Sequence, residues 1–332
     1  MDTHVHLVSP PGTCDMEVAI ADALRAMDTL GIGKSVLLPP PNPSDTCDAA
    51  ELGSVVGRAP DRLAFAAGGG SLNAMIHATP ADTVTDEVAA AFEARAAQIV
   101  ESGAAAFGEL AALHISFAPS HPFEAAPADH PLFLLLADVA ARNGLPIDLH
   151  MEAVVEDLPF GDEQLPANAV RPTRNPPQLA ATLPAFERLL AHNRAARIVW
   201  AHAGADPVGQ RSAALTRGLL AAHENLFIQL RVLPPGAYPH TVLVQSGPSA
   251  PTTPPAIDPE WLALLRAFPD RAVLGSDRFY HPPGVGQPFV TSVDATTQER
   301  LDRLYANFLA ALPPDLAGAI ASENAARIYR FG

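Results

Sequence analysis

At 332 residues and 34.8 kDa the chain has a length common among (β/α) barrels, and its 48% hydrophobic content can fill a large core. A net charge of −15 argues against nucleic-acid binding as the main task, because a phosphate-binding surface needs clustered Lys and Arg. The sequence has no uninterrupted apolar run of about 20 residues, which excludes a membrane-spanning helix within it.

Helical patterns and short apolar runs alternate along the whole chain. Residues 16–30, for example, carry apolar side chains at helical spacing and stop at Gly31. The predicted strands cover residues 1–6, 35–38, 63–67, 104–110, 146–150, 197–202, 226–232 and 272–276. The predicted helices cover residues 16–30, 48–58, 86–101, 131–143, 183–192, 210–223, 261–268, 296–312 and 316–329.

Eight such strand–helix units predict an α/β fold, a (β/α)8 TIM barrel of the metallo-dependent hydrolase type. An open, doubly wound sheet is the alternative, but no Gly-rich phosphate-binding fingerprint follows the first strand. We expect one domain over residues 1–332, with C-terminal helices from about residue 296. Two long loops, at about 151–177 and 233–259, are predicted to form walls of the active site, because barrel function sits at the C-terminal strand ends.

The two cysteines, Cys14 and Cys47, have neither CxxC spacing nor a nearby histidine, which argues against a metal role. A disulfide in an exported protein and a pair of inert thiols both remain open. No signal peptide is visible, yet only one residue precedes Asp2 where a strand of about 5–6 residues is expected, so a missing leader also remains open. We expect a cytoplasmic protein from the chain as it stands, and export if a leader precedes it.

Side chains that can bind a metal ion stand at the ends of five different predicted strands. They provide imidazole nitrogen or carboxylate oxygen at the rim where barrel enzymes carry out their chemistry. These residues are His4, His6, Glu109, His150, His202 and Asp277.

These strand ends resemble the metal-binding pattern of the amidohydrolase superfamily. The matching segments are Asp2-Thr3-His4-Val5-His6, the strand-terminal His150 and Ala201-His202-Ala203-Gly204, with Gly275-Ser276-Asp277 and Glu323-Asn324-Ala325-Ala326-Arg327 similar to the closing motifs of its amidohydrolase-related branch. Gly108-Glu109-Leu110 is more similar to the Gly-Glu element of TatD-type hydrolases. The resemblance spans about residues 2–330 and implies a metal-dependent hydrolase.

In this interpretation His4 and His6 bind one divalent ion together with Asp277, while His150 and His202 bind a second ion or orient the substrate. Many members of the superfamily bridge two ions with a carbamylated lysine. Lys34, the only lysine, lies at the start of the second strand, away from the rim, which leaves Glu109 as the candidate bridge. Both a two-ion and a one-ion site therefore remain open. Mixed imidazole and carboxylate ligands favour zinc, with manganese, iron or cobalt as alternatives.

Asp277 is the candidate general base and acid, which takes a proton from the attacking water and returns it to the leaving group. Asp2 is expected to accept a hydrogen bond from a ligand imidazole. Arg231 and Arg278 are candidates for binding an anionic substrate group, although structural salt bridges explain them equally well. The remaining candidates for substrate binding are His114 and His281, which follow strands four and eight.

The leading hypothesis is metal-dependent hydrolysis of an amide, ester, lactone or related bond in a small molecule. The amidohydrolase-related branch also includes non-oxidative decarboxylases of aromatic acids, which need no bridging carboxylate. A TatD-like nuclease and a non-catalytic metal-binding barrel are further alternatives. The expected partner is a small-molecule substrate rather than nucleic acid or membrane, and a homo-oligomer remains open.

Overall fold

A closed barrel of parallel strands forms the centre of the computed structural model, which describes residues 1–10, 12–42, 46–166, 169–245, 254–281 and 295–331. The barrel strands are β1 (Asp2–Leu7), β2 (Ser35–Leu37), β3 (Leu63–Gly68), β4 (Ala106–His114), β5 (Pro146–Met151), β6 (Arg197–Ala203), β7 (Leu226–Leu230), β8 (Ala272–Leu274) and β9 (Arg278–Tyr280). Neighbouring strands in this sequence pair in parallel from β1 to β8, and β9 pairs with β1. The predicted (β/α)8 barrel is confirmed.

The eighth position of the barrel consists of two short strands. The predicted strand at 272–276 ends earlier, at Leu274, because the chain turns at Gly275–Asp277 before β9 begins. The amide of Asp277 donates to the carbonyl of His4 (2.9 Å), and the hydroxyl of Thr3 donates to the carbonyl of Leu274 (2.8 Å). These bonds join the last strand position to the first, and the barrel closes.

Helices surround the barrel on its outer face. They are α1 (Glu17–Leu30), α2 (Ala49–Val56), α3 (Leu72–Ala78), α4 (Asp86–Glu101), α5 (Pro131–Asn143), α6 (Leu183–His192), α7 (Ala213–Ala222), α8 (Pro259–Ala267), α9 (Ala295–Ala311), α10 (Pro314–Gly318) and α11 (Asn324–Ile328). The hydroxyl of Thr85 caps α4 by accepting from the amide of Val88 (3.3 Å), while α1 ends at Gly31 in a left-handed conformation (φ +68°). Helix α3 was not predicted, and the predicted helix at 316–329 contains a π-helical turn, Ala319–Glu323, between α10 and α11.

Alternation along each strand divides the core into two parts. Leu37 packs outwards in the larger core between strands and helices, whereas Val36 and Leu38 belong to a smaller cluster. That smaller cluster also contains Ala66, Ala106, Val199, Phe227, Val273, Ala325, Ile328 and Tyr329. Near-continuous apolar strands are expected where both faces of a parallel sheet are buried.

The two long loops contain short antiparallel pairs. Leu158–Pro159, in the loop at 151–177, pairs with Gln178–Leu179 immediately after that loop. In the loop at 233–259, Leu243–Val244 pairs with Ala256–Ile257, while residues 246–253 lie outside the described part of the chain. The assignment of residues 1–332 to one domain stays a prediction.

Cys14 and Cys47 form a disulfide, with their Cα atoms 5.7 Å apart. The bond joins the loop after β1 to the loop after β2, so it ties together two neighbouring loops at the C-terminal rim of the barrel. No helix in the described ranges has the length and apolar character needed to cross a membrane.

Candidate active site

Strands β1, β4, β5 and β6 and the turn after β8 bring the predicted ligand residues together, although Glu109 lies in the middle of β4, which continues past its predicted end to His114. Oδ1 of Asp277 lies 3.3 Å from Nε2 of His6 and 4.0 Å from Nε2 of His4, although 271 residues separate Asp277 from His6 in the chain. The two Nε2 atoms of His4 and His6 are themselves 3.1 Å apart. Residues at opposite ends of the sequence therefore share one small volume because the barrel closes.

Glu109 lies between two pairs of imidazoles. Its Oε2 is 3.2 Å from Nε2 of His4 and 3.4 Å from Nε2 of His6. Its Oε1 is 2.8 Å from Nδ1 of His150 and 3.0 Å from Nε2 of His202. Each carboxylate oxygen thus faces a different imidazole pair.

Hydrogen bonds orient the two imidazoles on β1. Nδ1 of His6 donates to the carbonyl of Leu38 (2.9 Å), which leaves a lone pair on Nε2 in the neutral ring. Nδ1 of His4 lies 3.4 Å from Oδ1 of Asp148 and 2.8 Å from the side-chain amide of Gln229. These buried contacts direct Nε2 of both rings towards Glu109 and Asp277.

The expected role of Asp2 is wrong. Its Oδ1 accepts from the backbone amides of His4 (3.3 Å) and Ser276 (2.9 Å) instead of from an imidazole. Asp2 therefore fastens the start of β1 to the turn before β9. Asp148 occupies the place beside the imidazole that was assigned to Asp2, because the side chains of β1 and β5 meet across the interior of the barrel.

The donor set fits divalent cations. Ligand atoms bound ~2.1 Å from a tetrahedral ion lie about 3.4 Å from one another, close to the spacings between His4, His6, Glu109 and Asp277. Two sets of three potential ligand atoms lie within 4.8 Å of one another, one from His4, His6 and Asp277 and one from His4, Glu109 and His202. His150 belongs to neither set, but its Nδ1 lies 2.8 Å from Oε1 of Glu109, which belongs to the second set. Imidazole lone pairs and carboxylates that converge in a buried volume need a positive charge between them.

The charges of the site are strongly coupled. Burial alone would raise the pKa of Glu109, but the charge of His4 and hydrogen bonds with His150 and His202 lower it well below its usual range. Burial also opposes the charged form of His150, yet its position between Glu109 and Glu152 raises its pKa to about 10. Burial lowers the pKa of His202 to about 3. Without a metal ion, protons on some imidazoles balance the buried carboxylates.

Asp277 stays ionised because it pairs with an arginine. Nη1 of Arg231 lies 2.6 Å from Oδ2 of Asp277. Burial would raise the pKa of Asp277, but the charges of Arg231 and His202 and the hydrogen bond with His6 lower it far below its usual range. Asp277 is thus a carboxylate at neutral pH.

Two of the candidate ligands have left-handed backbone conformations. His202 has φ +62° and Asp277 has φ +52°, a region that side chains other than glycine enter rarely and at a cost of about 1–3 kcal/mol. Each residue interrupts regular strand geometry at the rim. The turn that follows aims its side chain at Glu109 or His6 rather than along the alternating strand faces.

A cavity of about 740 Å³ opens above these residues, a size that suits a small molecule. Of the residues predicted to contact substrate, Arg231, Arg278 and His114 line it. Arg278 also forms an ion pair with Asp302, and the ring of His114 packs edge-on against His150 with centroids 4.6 Å apart. His281 is not among the lining residues, and its ring nitrogens have no hydrogen-bond partner within the described residues.

Several residues near the site were not predicted. Glu152 lies beside His150 (3.2 Å), and Asp148 and Gln229 lie beside His4. His121 and Tyr238 line the cavity. Asp148 and Glu152 are each two positions from His150. Because residues two apart in a strand share a face, the sequence could have predicted that both lie on the same side as His150.

Lys34 lies at the opposite end of the barrel from the cavity. It immediately precedes β2, and its ammonium lies 4.9 Å from the centre of the Phe331 ring near the C-terminus. Because it is the only lysine in the sequence, no lysine carbamate can link two ions in this cavity.

The closed barrel and the imidazole and carboxylate groups at its rim define a metal-dependent barrel enzyme. The amidohydrolase family model matches residues 1–331. The chain therefore belongs to the amidohydrolase superfamily. The similarity of Gly108-Glu109 to the TatD-type element stays a prediction, and no curated protein matches the sequence.

Solved structures share the fold at low sequence identity. 4-Oxalomesaconate hydratase from Rhodopseudomonas palustris is 15% identical, with 99% of this chain and 95% of that chain covered and a TM-score of 0.51. 5-Carboxyvanillate decarboxylase from Novosphingobium aromaticivorans, complexed with manganese, is 12% identical, with 97% and 85% covered and a TM-score of 0.51. 2,6-Dihydroxybenzoate decarboxylase is 14% identical, with 99% of each chain covered and a TM-score of 0.50.

Proposed function

We propose that this protein is a metal-dependent hydrolase that cleaves an amide, ester, lactone or related bond of a small molecule. The observation that carries the proposal is the position of Glu109, whose two oxygens face separate imidazole pairs at 2.8–3.4 Å. A carboxylate in that position suits a bridge between two cations. His4, His6 and Asp277 would hold one divalent ion, and His150 and His202 would hold the other.

A divalent ion in such a site lowers the pKa of a bound water towards about 7 and polarises a substrate carbonyl. The protein supplies the proton transfer and the surroundings. Asp277 lines the cavity as a carboxylate, so it can accept the proton of the attacking water and pass it to the leaving group. Zinc suits the mixed ligands, and the manganese in 5-carboxyvanillate decarboxylase supports manganese as an alternative.

The cavity suits a small substrate with an anionic group. Its described lining carries the carboxylates Glu109 and Asp277 and the guanidinium groups Arg231 and Arg278, so any bound divalent ion would make it net positive. Such a positive site would attract a small anion locally, although the chain as a whole carries a net charge of −15. Arg231 is the better candidate for contact with the substrate, because its side chain is 29% exposed, against 14% for Arg278.

The test is the metal content of the native protein beside that of Glu109→Gln, with Glu101→Gln as the control. Glu101 is an exposed residue at the end of α4, so its substitution removes the same charge far from the rim. We expect about two equivalents in the native protein and the control, and about one in Glu109→Gln. One equivalent in all three proteins would contradict the bridging role.

Decarboxylation of an aromatic acid is the second candidate. It is favoured by the fold similarity to two decarboxylases and by the Arg231–Asp277 ion pair, which weakens Asp277 as a base. Release of carbon dioxide from aromatic acids, with one ion per chain, would support it over hydrolysis. Turnover of lactones or esters, lost in Asp277→Asn while metal is retained, would support hydrolysis. Retained metal without any turnover would favour a non-catalytic barrel.

A nuclease has less support. The sequence similarity of Gly108-Glu109 to TatD-type hydrolases is its only positive indication, and the net charge of −15 opposes approach to a phosphate backbone. Cleavage of single-stranded DNA at a rate that exceeds ester hydrolysis would reverse this ranking.

A further inference from the structure

Glu152 is a buried carboxylate on the far side of His150 from Glu109. Its Oε1 lies 3.2 Å from Nε2 of His150, while Nδ1 of the same ring lies 2.8 Å from Oε1 of Glu109. The imidazole is therefore held between two carboxylates, one at each ring nitrogen. His4 has a similar arrangement, with Oε2 of Glu109 3.2 Å from its Nε2 and Oδ1 of Asp148 3.4 Å from its Nδ1.

The backbone fixes Glu152 in this position. Its amide donates to the carbonyl of Leu113 on β4 (3.1 Å), and its carbonyl accepts from the hydroxyl of Thr182 just before α6 (2.9 Å). Only 7% of the residue is exposed. Two neighbouring elements thus hold the backbone at Glu152, and its buried carboxylate lies against His150.

A neutral imidazole carries one N–H, and the partner that accepts it decides which nitrogen keeps the lone pair. A metal ligand must present the lone pair. If the proton is on Nε2 and donated to Glu152, the lone pair of His150 is on Nδ1 and faces Glu109. The reverse tautomer would direct the lone pair at Glu152 and away from the other candidate ligands.

Arg211 supports the same side of the site. Its buried guanidinium donates to the carbonyls of Trp200 (3.0 Å) and Ala201, the two residues before His202, and packs 3.6 Å from the centre of the Trp200 ring. Burial raises the pKa of Glu152, and the hydrogen bond and charge of His150 and the charge of Arg211 oppose that rise. Arg211 therefore holds the backbone that precedes His202 and favours the charged form of Glu152.

We propose that Glu152 is a positioning residue that makes Nδ1 of His150 the ligating atom and thereby builds the second ion position. The inference rests on the proposed function, since a two-ion site is needed for a second position to exist. It predicts that loss of Glu152 weakens one ion and leaves the ion at His4, His6 and Asp277 in place.

The experiment compares Glu152→Met with Glu156→Met. Glu156 is an exposed glutamate in the same loop, so its substitution matches the change in charge and shape away from the site. Zinc titration of the metal-depleted proteins by calorimetry should give two ions in the wild type and in Glu156→Met. In Glu152→Met we expect the weaker ion to lose about 10–100-fold in affinity while the tighter ion changes less than about threefold. Glu152→Gln keeps an oxygen acceptor and should restore most of the loss.

A second measurement does not depend on any variant being folded. In the zinc-loaded wild type with ¹⁵N-labelled histidine, long-range proton–nitrogen NMR correlations identify the protonated nitrogen of each ring. We expect a proton on Nε2 of His150. A proton on Nδ1, or two ions bound by Glu152→Met with wild-type affinity, would overturn the role of Glu152 and leave the two-ion hydrolase standing. A single ion in the wild type would instead overturn the two-ion site.

Discussion

Replacing Gly108 with alanine should damage the site more than the barrel. Gly108 precedes Glu109 and has φ +145°, a conformation that L residues rarely adopt. A Cβ atom there would lie 2.7 Å from Cβ and 2.9 Å from the carbonyl oxygen of Asp148 on β5. The first distance is roughly 0.7 Å short of ordinary van der Waals contact, so strands β4 and β5 must separate.

The cost follows from these two effects. A backbone conformation this rarely populated costs an alanine about 1–3 kcal/mol, and overpacking against a fixed backbone adds about 1–3 kcal/mol. We therefore expect Gly108→Ala to lower the free energy of unfolding by about 2–6 kcal/mol. The same separation of strands displaces Glu109 and Asp148, so metal content should fall even in the protein that remains folded.

Gly103→Ala is the matched control. Gly103 also has a positive φ (+83°), but an added Cβ there meets no atom of the described residues within 4 Å. It should lose only the conformational part, about 1–2 kcal/mol, and keep its metal. Urea denaturation gives the free energy of unfolding of both variants, and metal analysis gives their metal content. Equal destabilisation of the two variants, or full metal content in Gly108→Ala, would refute the reasoning.

Asp148→Asn should weaken metal binding about 10–100-fold because it removes the charge beside His4, and an unchanged dissociation constant in a zinc titration would contradict this. Reduction of the Cys14–Cys47 disulfide, which spans 33 residues, should lower the free energy of unfolding by about 3–4 kcal/mol, and a denaturation curve that dithiothreitol leaves unchanged would argue against it. Burial raises the pKa of Glu124 from 4.5 to about 7, so stability should fall as pH rises through that window, since the folded protein keeps a proton that the unfolded chain loses. A Glu124→Gln substitution should remove this dependence and stabilise the protein by roughly 3 kcal/mol above pH 7, which unfolding measured at several pH values would detect.

The sequence was sufficient to predict the barrel and the convergence of the candidate ligands. Strand periodicity located the segments, and a closed parallel sheet necessarily brings their C-terminal ends together. His4, Glu109, His150 and Asp277 could therefore be grouped without knowledge of the register between strands. Lys34 could be set aside for the same reason, because it precedes its strand.

Contacts that depend on register and rotamer could not be predicted in this way. Asp2 is two residues from His4 in the sequence, and Asp148 is two residues from His150. Which of the two carboxylates lies beside the His4 ring depends on how β1 and β5 are aligned in the barrel, which the sequence does not reveal. The split of the eighth strand position was also missed. It depends on the left-handed conformation of Asp277; aspartate enters that region more often than most residues, but nothing in the sequence distinguishes this aspartate from the others.

The left-handed backbone at His202 and Asp277 has a consequence for engineering. The most stable form of this barrel is not the form that holds the site, because glycine or asparagine would adopt these conformations more easily than histidine or aspartate. Selection for thermostability alone should therefore favour such replacements and yield a more stable protein that has lost two candidate metal ligands. A thermostable version that still works would have to gain its stability in the outer helices.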